Sequence, residues 1–119
     1  MASHVTIEIR NNIAWICVDN PPVNATSNAV RAGLLDAFRK VQQYDLAVLF
    51  CAGRTFIAGG DMSEFDAPAV EPHLPDVANL IEASDTPFLA LLHGTVLGGG
   101  FEIAMACAFR VARPGTKFG

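Results

Sequence analysis

The sequence predicts an α/β fold with parallel strand pairing. Three observations carry this. A two-strand pattern near the N-terminus is followed by an amphipathic helical stripe and then by a continuously apolar run, Leu46–Ala52. Strand, helix and returning apolar strand is the order of a parallel βαβ unit. A second apolar run, Phe88–Leu92, leads through three consecutive glycines, Gly98, Gly99 and Gly100, into a helical run from Phe101 to Ala108. And with 119 residues, 51% of them hydrophobic, the chain suffices for one small domain with a modest core.

Composition narrows the function classes. The net charge is −4 and no cluster of lysine and arginine occurs, which argues against a nucleic-acid or anionic-membrane surface. Cys17, Cys51 and Cys107 lie in apolar runs without metal-ligand spacing, the pattern of reduced core thiols in a cytoplasmic protein. The start, Met1 to Arg10, lacks a basic segment followed by an apolar one, so no signal peptide is read there. The apolar stretch Phe88–Leu97 is too short and broken to span a bilayer.

Each element has its own signal. Val5–Arg10 alternates apolar and polar residues, Asn11 and Asn12 supply a turn, and Ile13–Val18 reads as the second strand of a hairpin. Pro21 and Pro22 keep Asp19–Ala25 out of helix and central strand; it is either a connector or part of a site. Thr26 or Ser27 caps a helix reaching about Gln43, with Val30, Leu34, Leu35, Phe38 and Val41 as its apolar stripe and Arg31, Asp36, Arg39, Lys40 and Gln42 on a solvated face. Gly59 and Gly60 open a loop in which Asp61 can cap a short helix, Met62–Phe65. Three prolines mark Asp66–Pro75 as a mobile loop, with His73 on the surface and without an obvious partner. A short helix is predicted over Asp76–Ala83 and a strand over Phe109–Ala112.

The chemistry concentrates where strand meets glycine and glycine meets helix. Glycines allow close backbone approach, and a helix N-terminus offers free N–H groups and a positive dipole end. Glu102 is the only charged residue between Asp85 and Arg110 and falls in the first turn of an apolar helix. It is either a buried carboxylate with a raised pKa suited to proton transfer or an ordinary first-turn glutamate in water. Neither glycine loop fits a P-loop or a dinucleotide fingerprint. Each follows an apolar strand and can offer one N–H to a single carbonyl oxygen, which is the design of an oxyanion hole.

The segments Phe56–Met62 and His93–Ala104, with the loop Asn20–Ala25 and the ending Lys117–Gly119, resemble in order and spacing the enoyl-CoA hydratase/isomerase (crotonase) family. The resemblance covers nearly the whole chain, and the start Asp19–Asn24 is similar to the hydratase domain of multifunctional β-oxidation proteins. It implies a crotonase-like (ClpP/crotonase) spiral of ββα units, assembled as a trimer or a dimer of trimers. Gly60 and Gly99 would hold the thioester oxygen. Glu102 would be one of two catalytic glutamates that orient water and move its proton. Val23, Ala25, Ala58, Gly59, Gly60, Asp61, Met62, Ser63 and Gly99 would line the coenzyme A pocket, largely through backbone atoms. No metal and no separate cofactor is implied, coenzyme A being part of the acyl thioester substrate.

Two departures stand out. Ala108 replaces the aspartate common after the helix cysteine, read here as a subgroup trait. The second catalytic glutamate would follow Phe118–Gly119 by three residues, beyond the last residue of this chain. Residues 1–119 therefore read as the N-terminal part of one crotonase-like domain whose C-terminal part is absent. The expected activity is hydration of trans-2-enoyl-CoA to 3-hydroxyacyl-CoA. The alternatives are an enoyl-CoA isomerase, or a non-catalytic piece that binds acyl-CoA or associates with copies of itself through the exposed apolar face of its last helix.

Overall fold

The computed structural model describes residues 4–60, 64, 68 and 70–119. The hairpin forms as its sequence predicts: β1 (Val5–Arg10) pairs antiparallel with β2 (Ile13–Val18), Val5 opposite Val18 and Arg10 opposite Ile13. Asn11 and Asn12 close it with φ of 51° and 61°, the left-handed pair that a two-residue turn between twisted strands requires. β2 then pairs parallel with β3 (Leu46–Cys51), β3 with β4 (Phe88–Leu92), and β4 with β6 (Phe109–Ala112). The five-stranded sheet has the order β1-β2-β3-β4-β6.

Helix α1 (Asn28–Lys40) is capped by Ser27, whose hydroxyl accepts the Val30 N–H at 3.3 Å, and ends on Arg39 and Lys40, charges that suit the negative end of its dipole. It stops three residues short of the expected Gln43, where Val41 leaves helical geometry. Val30, Leu34, Phe38 and Val41 are fully buried, Leu35 only in part. Phe38 meets Phe88 of β4 edge to face, with centroids 4.8 Å apart. Each such buried aromatic or aliphatic side chain contributes about 1.5–3 kcal/mol. The core lies on this face of the sheet, built from Ile16, Val18, Leu49, Phe88 and Ala90 against α1 and from Val77 and Ile81 of α2 (Leu74–Glu82).

Helix α2 spans Leu74–Glu82, two residues earlier than the spacing predicts. Pro75 is the reason it reads as a loop in sequence, yet proline in a first helical turn loses no hydrogen bond. His73 is the N-cap rather than a partnerless surface residue. Its N–H donates to Asp76 Oδ2 at 2.9 Å, and its Nδ1 lies 3.9 Å from the same oxygen.

Arg31 also departs from expectation. Its side chain is only 11% exposed and pairs with Glu64 at 3.1 Å, so it does not belong to a solvated face. A second sheet was not foreseen. β5 (Thr95–Val96) pairs parallel with β7 (Lys117–Phe118), and a parallel bridge joins Ala58 to Leu97 beside it. Helix α3 (Gly99–Ala106) starts two residues before the predicted Phe101. Among the described residues, no helix is long and apolar enough to cross a membrane.

Candidate active site

Three loops converge at the N-terminus of α3. The first, residues 20–26, is fixed by Asn24, which is 2% exposed and holds φ of 53°. Its amide oxygen accepts the Asn20 N–H at 2.7 Å, and its amide nitrogen donates to the carbonyls of Ala52 and Thr55, both at 2.9 Å. A single asparagine therefore ties the proline loop to the end of β3. The sequence places Asn24 in the resembling loop but does not show this anchoring role; its signal is that asparagine tolerates the left-handed region better than most residues.

The second loop, 57–60, runs between the other two. Ala58 N–H donates to Val23 O at 3.0 Å, and Thr26 N–H donates to Gly59 O at 3.1 Å. The segments of Val23, Ala25, Ala58 and Gly59 thus lie side by side, joined through the backbone. Asp61, Met62 and Ser63, and the short helix predicted over Met62–Phe65, lie outside the described residues apart from Glu64.

The third loop leads into α3. Leu97 N–H donates to Ile57 O at 3.3 Å. Gly98 turns with φ of 53°, and a Cβ placed there would lie 3.7 Å from the Cα of Gly59. The two glycine pairs are therefore backbone neighbours, brought together by the Ala58–Leu97 bridge. Among the described residues, neither the Gly60 N–H nor the Gly99 N–H has an acceptor. For Gly99 the reason is general: the first N–H groups of a helix have no intrahelical partner.

Glu102 sits in the first turn of α3, three residues after Gly99, and its N–H donates to Gly98 O at 3.1 Å. Its side chain is exposed, so of the two sequence readings the water-facing one describes it here. Around it the helix buries Gly100, Ile103 and Ala104, while Met105 is 55% exposed. The cysteines are unpaired; Cys51 and Cys107 are buried and Cys17 half-buried. Desolvation raises all three thiols, Cys107 to about 12, which keeps them protonated and unreactive. Among the described residues, no cluster of histidine, cysteine and carboxylate side chains is placed to hold a metal ion.

Comparisons with known proteins cover nearly the whole chain. The chain is 36% identical over 115 residues to the peroxisomal bifunctional enzyme of Danio rerio, covering 93% of this chain and 16% of that protein. It is 36% identical over 129 residues to the peroxisomal fatty acid beta-oxidation multifunctional protein AIM1 of Arabidopsis thaliana, covering 97% of this chain and 18% of that one. The structure of an enoyl-CoA hydratase from Thermoplasma volcanium superposes with a TM-score of 0.89 at 28% identity, over 99% of this chain and 51% of that chain. The chain thus spans less than a fifth of the two multifunctional relatives and about half of the single hydratase. Residues 8–119 match the enoyl-CoA hydratase/isomerase family, and the chain belongs to that enzyme family, with the crotonase fold.

Proposed function

We propose that this chain carries the oxyanion half of an enoyl-CoA hydratase site, as the N-terminal part of a crotonase-like domain. The observation that carries the reading is the juxtaposition of the Gly59–Gly60 and Gly98–Gly99 segments through the Ala58–Leu97 bridge, where the Gly60 and Gly99 N–H groups have no acceptor among the described residues. Both would donate to the thioester carbonyl oxygen of trans-2-enoyl-CoA. As the oxygen of water adds to Cβ, negative charge moves onto that carbonyl oxygen, and each preorganised donor there is worth about 3 kcal/mol. Glu102 orients the water and takes part in moving its proton toward Cα, giving 3-hydroxyacyl-CoA. Val23, Ala25, Ala58, Gly59, Asp61, Met62 and Ser63 would line the coenzyme A pocket. The reaction needs no separate cofactor, because coenzyme A arrives as part of the substrate. The buried free thiols favour a reducing compartment such as the cytoplasm, while two relatives are named for the peroxisome.

Loss of the ultraviolet absorbance of a short trans-2-enoyl-CoA measures hydration. Gain of that absorbance from a 3-enoyl-CoA measures isomerisation, the alternative activity. Hydration that Glu102→Gln lowers about 10²- to 10⁴-fold supports the reading. Isomerisation without hydroxyacyl product refutes it.

A second reading is favoured by exposed apolar side chains. Met105, Phe109, Val111 and Phe118 are each more than half exposed, and such surface favours association. In that reading the chain binds acyl-CoA or assembles with copies of itself, in the trimers or hexamers of the family, without turnover by its own residues.

A further inference from the structure

Glycine has no side chain with which to set a distance, so the spacing between the two glycine segments must come from a neighbour. The Ala58–Leu97 bridge fixes one end of it. At the other end stands Thr26, 5% exposed, which touches both segments. Its N–H donates to Gly59 O at 3.1 Å, and its hydroxyl reaches the same oxygen at 3.4 Å. A Cβ on Gly99 would lie 2.9 Å from Thr26 Oγ1 and 3.2 Å from its Cγ2. Thr26 thus packs directly against the face of Gly99 while bonded to Gly59.

Thr26 is itself held. Arg31, one turn into α1, donates from Nη1 to Thr26 O at 2.7 Å. The same guanidinium pairs with Glu64 at 3.1 Å and donates from Nε to Pro72 O at 2.7 Å and from Nη2 to Val70 O at 3.2 Å. Glu64 Oε2 in turn accepts the Asn28 N–H of α1 at 2.8 Å. Planar guanidinium suits this work, since its donors are fixed in one plane. A largely buried arginine with four acceptors is a rigid anchor.

We propose that Thr26, locked by Arg31, is the positioning residue that sets the gap between the Gly59–Gly60 and Gly98–Gly99 segments, and with it the aim of the Gly60 and Gly99 N–H groups at one oxygen. It touches neither substrate nor reacting atoms in this role. The aim at a thioester oxygen rests on the hydratase reading above; the spacing itself does not. Two measurements keep them apart. Amide hydrogen exchange on the whole chain reports the spacing without ligand. The carbonyl stretch of butyryl-CoA, labelled with ¹³C at the thioester carbon, reports hydrogen bonding to the oxygen.

In Thr26→Ala, exchange across residues 58–60 and 98–101 rises roughly three- to tenfold, the cost of one lost hydrogen bond and its packing, while amides of β2 and β3 stay as protected as before. Arg31→Met loosens the same two segments together with residues 70–73. Thr26→Ser, which keeps the hydroxyl, restores most of the protection. The red shift of the bound thioester carbonyl shrinks in Thr26→Ala and returns in Thr26→Ser. Unchanged exchange at the Gly100 amide in Thr26→Ala overturns the proposal, as does a rise spread evenly over the sheet. If the unaltered chain shows no carbonyl shift, the hydratase reading fails, and the exchange data still decide whether Thr26 sets the gap.

Discussion

Gly100 offers the sharpest test of how the two loops are held. A Cβ there would overlap the carbonyl oxygen of Ile57 and lie 2.7 Å from its Cβ and 2.8 Å from its carbonyl carbon. These are backbone atoms and a Cβ, so no rotamer change relieves the clash. Gly100 has an ordinary helical backbone, so alanine would otherwise stabilise α3 by about 1 kcal/mol. Against that, overpacking costs about 1–3 kcal/mol, and displacing α3 breaks the Leu97 N–H bond to Ile57 O, about 1 kcal/mol more. The net for Gly100→Ala is a loss of about 2 kcal/mol, which lowers the Tm of a chain this size by roughly 6–12 °C. Gly53→Ala is the control. It has φ of +80° with no atom within 4 Å of the added Cβ, so it pays only the left-handed penalty of about 1–2 kcal/mol and leaves the loops in place. Thermal melts by circular dichroism, with acyl-CoA binding measured beside them, separate the two. Binding should fall in Gly100→Ala and hold in Gly53→Ala. A Gly100→Ala chain that melts at or above the unaltered one would refute the close approach.

Other outcomes follow from single contacts. Asn24→Ala strands the carbonyls of Ala52 and Thr55 and should cost about 2–4 kcal/mol in urea unfolding; a loss below about 0.5 kcal/mol would show that water replaces the amide. Thr86→Val removes a buried hydroxyl that serves both Val41 O and Tyr44 O at 3.0 Å, with an expected loss of about 1–3 kcal/mol and no change in ligand affinity. Cys107 has its thiol raised from 9.0 to about 12 by burial, so above pH 9 the unfolded chain loses a proton that the folded chain keeps. Stability is then full below pH 9 and falls as pH rises toward 12, by up to about 1.4 kcal/mol per pH unit for this thiol; Cys107→Ala should flatten that slope, and an unchanged slope would count against it. Phe109→Ser with Val111→Ser, both on the outermost strand and more than half exposed, should lower the apparent mass in light scattering if this surface drives self-association.

What was legible in the sequence followed from periodicity. The hairpin, α1, β3 and β4 each announce themselves by alternation, by a three-and-four stripe or by a continuous apolar run, because one face of each is buried; β6 alternates too, yet all four of its residues are exposed. β5 and β7 could not be read that way. Each has two residues, too few for a period, and their pairing joins positions 22 apart, Thr95 with Lys117 and Val96 with Phe118. α2 was misplaced at its start because proline reads as a breaker, whereas at Pro75 it occupies a position that needs no donor.

The site divides along a similar line. The glycines were readable because only glycine fits where a carbonyl presses on the backbone, as Ile57 O does at Gly100. The residues that hold those glycines were not, because their partners are distant in sequence and chemically ordinary. Arg31 shares the helix surface with Asp36, Arg39 and Lys40, and a helical period cannot say which of several charges another segment will cover. The answer lies in Glu64, 33 residues away, and in the carbonyls of Val70 and Pro72. Thr26 reads as a helix cap, yet Ser27 is the cap, which frees Thr26 to contact Gly59 and Gly99. A hydroxyl one residue before an N-cap, next to two glycine turns, thus gains a meaning that only the tertiary structure supplies. The glycines provide the donors and the polar neighbours provide their aim, and local sequence pattern reveals the first far more readily than the second.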